Sequence, residues 1–551
     1  MGVDSFPFNL FIEYPFVARY IHVALKFSEG ISIMQGNDND RWIRRIQLSL
    51  TPPSLKDNTA DADRLIKGIK KTVQNENIEV GYSLLKKIPF ILRESGYDIV
   101  PVLCRIRESW RLIDLLSLRY DNRIYGVSVD LGTSTVVIRL LDLLEGEMLD
   151  EASFTNPQVD IGSDILTRIH FASQEGGLEK LQTLLLKRIN EEIMKLAGKN
   201  GVNTRFIVGL SAAGNTTMTH LFLGLDPFRI CREPYIPVVN SPDILKASDL
   251  NLAMNPESPV LVLPSAGSYL GGDVIAGILS SGICHEESVC ILLDVGTNAE
   301  VVLGNKEWLM ACAGAAGPAL EGGVAKMGMM AGPGVIDKVV IDPGSREFRV
   351  RTIDHLPPVG ICGSGLIDMI AQLFLSRMID QRGKFNAEFC GERLMEIDGV
   401  KHLIVTPSQD SAGKKNLTIS QPDIDSLLRS KAAMYTILTT ITKMVNLSME
   451  DLGRFYIAGT FGSYIEPKSA ITIGMIPDIP ADTYKSLGNT SLKGASSALL
   501  SSTAKDEIYK IRDRITYIEL NVNQDFMNTF NAAKFIPHTD RSLFPTVKAW
   551  K

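Results

Sequence analysis

The chain has 551 residues, of which 45% are hydrophobic and 22% charged, and its formal net charge at pH 7 is −6. This length predicts roughly three or four domains, and the acidic balance disfavours nucleic-acid binding, which normally uses a basic face. No apolar run reaches the ~20 residues that span a bilayer, and MGVDSFPFNL lacks the features of a signal peptide, so we expect a cytoplasmic protein with no membrane partner.

The cysteines indicate a reducing compartment. They are scattered, and no C-x2-C pair occurs, whereas an iron–sulfur cluster needs four thiolates that a short segment can gather. We therefore expect small core side chains and no iron–sulfur cluster in this chain. The seven cysteines are Cys104, Cys231, Cys284, Cys290, Cys312, Cys362 and Cys390.

The N-terminal part divides into two pieces. Residues 1–40 hold several aromatics and end in the polar run GNDND, and we interpret them as an accessory segment. Residues 41–120 are typical of a small α/β middle domain, in which DIVPVLCRI forms a strand. Asp57, Asn58 and Asp61 precede an apolar-periodic stretch and predict a capped helix start.

A strand–turn–strand pattern then occurs twice. YGVSVDLGTSTVVIRLLDLLEGEML begins at Tyr125, and VCILLDVGTNAEVVLGNKEWLMACAGAAG repeats its shape with centres, Asp130 and Asp294, about 160 residues apart. Such a repeat predicts two homologous lobes, over 121–285 and 286–551. Strands that alternate with amphipathic helices indicate α/β lobes with mixed sheets.

The two turns have the composition of phosphate-binding loops. Glycine lets the backbone approach a phosphate closely, exposed N–H groups bind anions, and hydroxyl and amide side chains add donors. Asp130 and Asp294 end buried strands and are expected to hold Mg²⁺, through water, from both sides. One such turn alone would be read as an ordinary hairpin, but two in matching strands favour a nucleotide clamp. The remaining residues of this prediction are Gly132, Thr133, Ser134, Thr135, Gly296, Thr297 and Asn298.

A third glycine-rich turn follows an apolar strand in YIAGTFGS, residues 456–463. The missing side chains at Gly459 and Gly462 would leave a flat floor for a purine and ribose, and Thr460 lies between them. Its position after both phosphate turns favours an adenosine site.

Further candidates carry an alternative of comparable weight. Asp273 and Glu321 are candidates to activate the attacking water, although Asp273 could merely cap a helix. Gly363 and Ser364 open a helix suited to phosphate or ribose contact, or to close packing. Lys431 either flanks the base or is solvated.

Two polar segments are candidates to line the nucleotide site. The loop NPQVDIGSD either faces the nucleotide cleft or the partner, or it forms a polar capped turn. Asn215 lies just past a strand and is a candidate to line the cleft. The loop residues concerned are Asn156, Gln158, Asp160, Gly162 and Asp164.

The three glycine turns in this order resemble the phosphate-1, phosphate-2 and adenosine motifs of the actin, heat-shock-chaperone and sugar-kinase superfamily (ASKHA). The resemblance implies an α/β fold of two duplicated RNase H-like lobes, preceded here by the small middle domain, and the cofactors ATP and Mg²⁺.

A closer resemblance covers roughly residues 42–540. PPSLKDNTADADRL, GLSAAGNTTMTHLFLGLDP, ACAGAAGPALEGG, GICGSGLIDMI, YIAGTFGSYIEP and FIPHTD are similar to the reductive activators of corrinoid proteins. This family implies ATP-dependent reduction of Co(II) to Co(I) in the corrinoid protein of a methyl-transfer system, and a homodimer.

The sequence departs from that family in one respect. Most such activators carry an iron–sulfur domain, which we do not find, so the electron would come from a separate ferredoxin or reductase, or the chain would keep only the ATP switch. Two different functions also stay open: a small-molecule kinase of the same superfamily, and an actin-like scaffold that uses nucleotide for assembly.

Overall fold

A computed structural model describes residues 40–74, 77–118, 123–296, 298–314, 325–459, 465–520 and 526–548. Within these ranges no helix combines the length and the apolar character needed to cross a membrane. All seven cysteines are free thiols, and all except the half-buried Cys231 are buried, which confirms the prediction that they are core residues.

The N-terminal part of the described chain forms a five-stranded sheet with helices packed on it. Strand β4 is central: it pairs antiparallel with β1, β2 and β5, while β3 pairs parallel with β5. The predicted strand DIVPVLCRI is β4. The elements are β1 (Ile43–Arg45), β2 (Leu48–Ser49), α1 (Asp61–Val73), β3 (Ile78–Val80), α2 (Tyr82–Leu85), α3 (Ile88–Glu94), β4 (Asp98–Ile106) and β5 (Ser109–Ser117).

The predicted cap of α1 is wrong. The helix begins at Asp61 after Ala60, which makes no side-chain capping bond. Asp57 instead accepts a 2.6 Å hydrogen bond from Arg64 Nη1, which draws the carboxylate away from the helix N-terminus. Its Oδ1 accepts from the N–H of Thr59 at 3.2 Å, so the carboxylate serves the turn before the helix and not the helix N-terminus.

The sheet of the first lobe has the spatial order β10-β11-β9-β6-β7-β8. Strands β6, β7 and β8 form two antiparallel hairpins, and β9 returns parallel to β6 after two helices. Its elements are β6 (Tyr125–Leu131), β7 (Thr135–Asp142), β8 (Met148–Thr155), α4 (Ile165–Ala172), α5 (Gly177–Lys199), β9 (Ile207–Gly214), α6 (Thr216–Leu223), β10 (Leu245–Lys246), β11 (Pro259–Val262) and α7 (Gly272–Ser281).

The second sheet begins with the same two hairpins, and two three-stranded sheets are inserted before its parallel strands. The hairpins are β12 (Cys290–Val295), β13 (Ala299–Gly304) and β14 (Leu309–Gly314), and the insertions are β15 (Val335–Ile341), β16 (Phe348–Thr352), β17 (Gly360–Ile361), α8 (Gly363–Leu375), α9 (Ala387–Cys390), β18 (Leu394–Ile397), β19 (Val400–Thr406) and β20 (Leu417–Ser420).

The rest of the second sheet follows a long helix, α10, which the sequence pattern predicts over 423–445. The elements are α10 (Gln421–Met444), β21 (Arg454–Ala458), α11 (Pro467–Ile473), β22 (Tyr484–Gly488), α12 (Thr490–Leu500), α13 (Ser502–Arg514), β23 (Ile515–Tyr517) and α14 (Phe526–Ala533). The sheet order is β22-β21-β12-β13-β14-β23.

The two sheets share the order of five strands, and their sixth strands lie at opposite edges, β10 beside β11 and β23 beside β14. Counting from β6 and from β12, each sheet runs third, second, first, then two later parallel strands (β9 and β11, or β21 and β22). This identity confirms the predicted duplicated α/β lobes with mixed sheets.

One hydrophobic core joins all parts of the chain. It contains Trp42 and Val102 from the first sheet, Val274 from α7, Leu292 from β12 and Leu499 from α12. Helix α12 also packs on strands of the first lobe, where Ser211 Oγ donates to the carbonyl oxygen of Ala495 across 2.7 Å. The domain boundaries at 40, 120 and 285 remain a prediction: packing crosses those at 120 and 285, and the accessory segment predicted before residue 40 lies outside the described residues.

Candidate functional site

The first predicted phosphate turn joins β6 to β7. Asp130 is the penultimate residue of β6 and lies opposite Val137, so its side chain is close to the turn. A Cβ at Gly132 would lie 2.1 Å from the carbonyl oxygen of Thr135. Only glycine fits this tight turn, which explains the glycine in the motif.

The loop NPQVDIGSD holds the turn in place. Asn156 is fully buried; its Nδ2 donates to the carbonyl oxygen of Gly132 at 3.0 Å, and its backbone N–H donates to the carbonyl oxygen of Ser134 at 2.9 Å. Its Oδ1 also accepts from the backbone of Gln158 in a capped turn. The capped turn of the second interpretation is thus present and holds the first turn, whereas contact of the loop with the nucleotide or the partner stays a prediction.

Arg168 of α4 makes a second brace that the sequence did not reveal. Its guanidinium is fully buried and donates to the carbonyl oxygens of Thr133 at 2.7 Å and Gly162 at 2.8 Å, and to Gln158 Oε1 at 3.2 Å. Burial lowers its pKa to about 10. The guanidinium ties the NPQVDIGSD loop to the turn.

Other loop residues have local roles. Gln158 donates to the carbonyl oxygen of Leu181, and Asp164 caps α4 by accepting from the N–H of Thr167 at 2.9 Å. Asp160 ends the short 3-10 helix that Asn156 caps.

Asn215 reaches the same turn from β9. Its Oδ1 caps α6 at the N–H of Met218, and its Nδ2 donates to Thr133 Oγ1 at 3.0 Å. The Thr133 hydroxyl therefore keeps its own proton free to donate. Ser134 and Thr135 are half-buried, and Thr135 Oγ1 lies 3.8 Å from Met330 Sδ, on the side of the second lobe.

The second turn joins β12 to β13. Asp294 is the penultimate residue of β12, as Asp130 is in β6, and the N–H of Gly296 donates to the carbonyl oxygen of Asn298 at 2.9 Å. Asp294 pairs with Ala458 on β21, whose next residue is Gly459. Gly459 has φ +86°, and a Cβ there would lie 2.9 Å from Asp294 Oδ1. The predicted adenosine turn therefore starts at a residue that is packed closely against Asp294.

Asp273 lies in the first turn of α7 and interacts electrostatically with Asp130 and Asp294. Its Oδ1 accepts from the N–H of Val274, and Gly271, not Asp273, is the N-cap. Gly271 is packed against Gly214 and Asn215, where a Cβ would lie 2.5 Å from the Gly214 carbonyl oxygen. This close packing brings α7 to the end of β9, beside the first turn.

The three aspartates share an electrostatic environment. Each keeps some exposed surface, yet the surrounding protein removes most of their hydration. Desolvation, with the charge of Asp130, raises the pKa of Asp273 to about 7. Desolvation, with the charges of Asp273 and Asp130, raises the pKa of Asp294 to about 7. Carboxylates from both lobes therefore converge closely enough to repel one another.

Asp130 is also held by two residues that the sequence did not reveal. Its Oδ2 accepts from Asn489 Nδ2 at 2.8 Å, and its Oδ1 accepts from Ser491 Oγ at 2.7 Å. Both donors lie at the start of α12, more than 350 residues further along the chain.

The remaining candidates lie elsewhere or outside the described residues. Gly363 and Ser364 are buried at the start of α8, where Ser364 Oγ lies 3.2 Å from Cys362 Sγ. Lys431 is fully buried and donates to the carbonyl oxygens of Phe535 and Pro537, so the interpretation as a solvated lysine is wrong. Thr297, Glu321, Thr460 and Gly462 lie outside the described residues.

The residues present suit a magnesium–nucleotide complex. The carboxylate oxygens of Asp130, Asp273 and Asp294 do not gather closely enough to ligate one ion directly. Such hard oxygen donors, which Mg²⁺ prefers, would therefore hold the cation through water, and the cation would relieve their repulsion.

Comparisons with known proteins agree along the chain. Three family profiles match: the RACo linker region over residues 39–120, the RACo middle region over 125–286, and the C-terminal domain of RACo, the ASKHA domain, over 288–548.

Two curated relatives and one solved structure are similar over most of the chain. A corrinoid activation enzyme, RamQ, of Eubacterium limosum is 31% identical over 481 residues, covering 86% of this chain and 79% of that protein. A Co(II) methylated amine-specific corrinoid protein reductase of Methanosarcina barkeri is 23% identical, covering 74% and 76%. The solved structure of a reductive activator for corrinoid, iron-sulfur protein superposes with a TM-score of 0.86 at 39% identity, covering 92% of this chain and 81% of that one.

Proposed function

The chain belongs to the family of reductive activators of corrinoid proteins, and from that premise we propose that it uses ATP to drive reduction of a corrinoid protein from Co(II) to Co(I). The corrinoid protein is the substrate, and one electron from a donor converts cob(II)amide to the cob(I)amide nucleophile of a methyl-transfer system. ATP and water become ADP and phosphate.

The convergence of Asp130 and Asp294 supports the ATP-dependent part. The two aspartates occupy equivalent positions in two sheets that share the order of five strands, and the charge of Asp130 contributes to the raised pKa of Asp294. Duplicated lobes that present matching carboxylates to each other suit a ligand with its charge on a metal–phosphate unit.

Asp130 and Asp294 would hold Mg²⁺, which when bound neutralises phosphate charge and orients the terminal phosphate. The hydroxyls of Thr133, Ser134 and Thr135 would donate to phosphate oxygens from the first lobe. Gly296, Thr297 and Asn298 would do so from the second, and the turn from Gly459 through Thr460 to Gly462 would receive the nucleoside.

Asp273 is our candidate for activating the attacking water. With a pKa raised to about 7 by burial and by Asp130, its carboxyl exchanges protons readily near neutral pH, as a general base requires. Glu321 stays a second candidate from the sequence. Gly363 and Ser364 stay predictions for nucleotide contact, whereas the predicted contact of Lys431 with the base competes with its hydrogen bonds to the carbonyl oxygens of Phe535 and Pro537.

The nucleotide would act as a switch between two arrangements of the lobes. A ligand that touches both lobes stabilises the closed arrangement by its differential affinity, and only by that amount. A corrinoid protein bound to a surface that changes with closure would thereby be remodelled. This remodelling assists the transfer of an electron to Co(II), which is otherwise unfavourable.

We place the electron donor on a separate protein, a ferredoxin or reductase. The sequence has no C-x2-C pair, and the thiols belong to scattered elements and are mostly buried. We also propose a homodimer, from the family resemblance, to be checked by light scattering coupled to gel filtration.

A reduction assay tests the proposal. The protein is mixed anaerobically with a candidate corrinoid protein in the Co(II) state, Mg·ATP and a low-potential reductant, and the Co(II) signal is followed by absorbance and electron paramagnetic resonance. We expect its loss to require both the protein and ATP, and to fail with the variant D130N. Equal rates without ATP, or phosphorylation of a small molecule instead, would refute the proposed function.

A chemical reductant and a reduced ferredoxin should be compared in parallel. If the chain holds no electron carrier, the chemical reductant and the reduced ferredoxin should each support the reaction, provided that they can reach the corrinoid protein. Reduction by the isolated protein without added donor would contradict a separate electron source.

A further inference from the structure

We infer that Asn489 and Ser491 are positioning residues that fix the Asp130 carboxylate for the magnesium–nucleotide complex and tie it to the second lobe. The inference rests on the proposed function, because it presumes that Asp130 serves a bound nucleotide. It concerns two residues that carry neither charge nor a phosphate-loop motif.

The geometry at Asn489 leaves its amide one orientation. Its Oδ1 accepts from the N–H of Leu492 at 2.8 Å, as the N-cap of α12, so its Nδ2 must point away from the helix. That Nδ2 donates to Asp130 Oδ2 at 2.8 Å. The cap therefore presents a fixed donor to the carboxylate at no further loss of side-chain freedom.

Ser491 holds the other oxygen of the same carboxylate. Its Oγ donates to Asp130 Oδ1 at 2.7 Å, and the residue is 6% exposed. With a donor on each oxygen, rotation of the Asp130 carboxylate about its Cβ–Cγ bond would break at least one hydrogen bond to a charged group. The lone pairs that remain have a defined direction.

The helix that carries both donors is locked to the first lobe. Ser496 Oγ lies 2.8 Å from Ser128 Oγ, two residues before Asp130 on the same strand. The bond from Ser211 Oγ to the carbonyl oxygen of Ala495 fixes α12 on the neighbouring strand, β9. Sliding of α12 along β6 would break these buried bonds, so the donors keep their register with Asp130.

The other end of the same segment belongs to the second lobe. Gly488, directly before Asn489, ends β22 and pairs with Ala458, which in turn pairs with Asp294. Asp294, Ala458 and Gly488 are therefore aligned across three neighbouring strands of the second sheet. Asn489, the residue after Gly488, donates to Asp130. This is a short covalent and hydrogen-bonded connection between the two carboxylates that face the nucleotide.

The test measures metal-dependent affinity. Isothermal titration calorimetry gives the affinity for ATP with Mg²⁺ and with EDTA, for wild type, N489S, S491A and the double variant. Serine at 489 keeps an N-cap oxygen but is too short to keep both contacts. We expect the enhancement of affinity by Mg²⁺ to fall about tenfold in the double variant, since hydrogen bonds to charged groups are at stake. Affinity in EDTA should stay unchanged.

Two controls separate positioning from simple loss of structure. S491T keeps the hydroxyl and should retain the Mg²⁺ enhancement. N386S makes the same exchange at another N-cap, since Asn386 caps α9 at the N–H of Glu388, and should also retain it. S491A leaves the cap of α12 intact, and this single variant provides the test if the double variant does not fold.

The outcomes distinguish this inference from the proposed function. If wild type shows no Mg²⁺-dependent ATP binding, the proposed function fails. If wild type shows it and S491A and N489S retain the full enhancement, or weaken binding equally with and without Mg²⁺, the positioning role is refuted while the proposed function stands.

Discussion

Arg168 Nη2 donates a hydrogen bond of 2.7 Å to the carbonyl oxygen of Thr133, so a fully buried cation supports the turn that we assign to phosphate binding. The same guanidinium binds Gly162 and Gln158 of the neighbouring loop. Arg168 thus fixes the first turn from behind, without facing the nucleotide.

We expect R168M to destabilise the protein by about 3 kcal/mol or more, because three buried acceptors lose their donor. ATP affinity should fall as well, since the turn loses its brace. Thermal unfolding and calorimetry measure the two effects. The control R349M removes an exposed arginine of β16 that pairs with the exposed Glu347 at 3.6 Å, and it should cost about 1 kcal/mol or less. Equal effects of the two changes would contradict a special role for Arg168.

The sequence predicted the parts of the site that form local patterns. Asp130 and Asp294 stand in short strand–turn–strand units, whose glycines and hydroxyls reveal both the turn and its chemistry. The repeat of this pattern predicted the duplicated lobes, which the shared order of five strands in each sheet confirms.

Residues that act over long sequence separation could not be predicted in this way. Asn489 and Ser491 reach Asp130 from more than 350 positions away, and an N-cap asparagine looks like any other helix start. Nothing in the local sequence around Arg168 indicates burial, and only the fold shows that this arginine is buried. Asp57 shows the converse: the local pattern predicted a helix cap, but the carboxylate accepts a hydrogen bond from Arg64 instead.

Gly459 should be intolerant of a side chain beyond the strain of its backbone. Its φ is +86°, and a Cβ would lie 2.6 Å from the carbonyl oxygen of Val295 and 2.9 Å from Asp294 Oδ1. We expect G459A to displace Asp294 and to weaken Mg·ATP binding about tenfold or more, as calorimetry would show.

The matched control is G146A. Gly146 also has positive φ, +75°, but no atom lies within 4 Å of the position that a Cβ would take, so alanine there carries only the backbone cost of about 1–2 kcal/mol. Nucleotide affinity should be unaffected. A G459A protein that binds Mg·ATP as well as G146A would contradict the close approach of the adenosine turn to Asp294.

The raised pKa of Asp294 makes stability depend on pH in a defined direction. Its folded pKa is about 7, above the ordinary 3.8, because of burial and of the charges of Asp273 and Asp130. The folded protein therefore binds more protons than the unfolded chain between these values, so this contribution to stability is full below about pH 4 and is lost as pH rises through 7. Without Mg²⁺, the melting temperature should fall from pH 6 to pH 8.

The variant D294N isolates this contribution. Asparagine is neutral at every pH, so at pH 8 without Mg²⁺ D294N should melt above wild type, and the difference should shrink towards pH 5. ATP hydrolysis should nevertheless fall roughly a hundredfold or more, since a charge that stabilises the transition state is lost. Added Mg·ATP should raise the melting temperature of wild type and not of D294N. Parallel melting curves of the two proteins from pH 5 to 8 would refute the clustering of carboxylates.

Lys431 offers a test between a sequence-based role and the contacts seen in the fold. Its Nζ donates to the carbonyl oxygens of Phe535 at 2.5 Å and Pro537 at 2.8 Å, and full burial lowers its pKa well below the ordinary value. These bonds attach the segment FIPHTD to α10. We expect K431M to lower stability by about 1–3 kcal/mol, because two buried carbonyls lose their donor, and to leave ATP affinity unchanged.

The same helix provides the control for that change. Lys443 is exposed in the last turn of α10, where a cation contributes about 0.3–1 kcal/mol through the helix dipole, so K443M should have a small effect. Thermal melts and calorimetry on K431M and K443M separate the two roles of Lys431. A fall in ATP affinity for K431M at unchanged stability would return Lys431 to the nucleotide site. A fall in stability at unchanged affinity would instead make it an anchor for the C-terminal segment, because its buried ammonium holds that segment against α10 through two carbonyl oxygens.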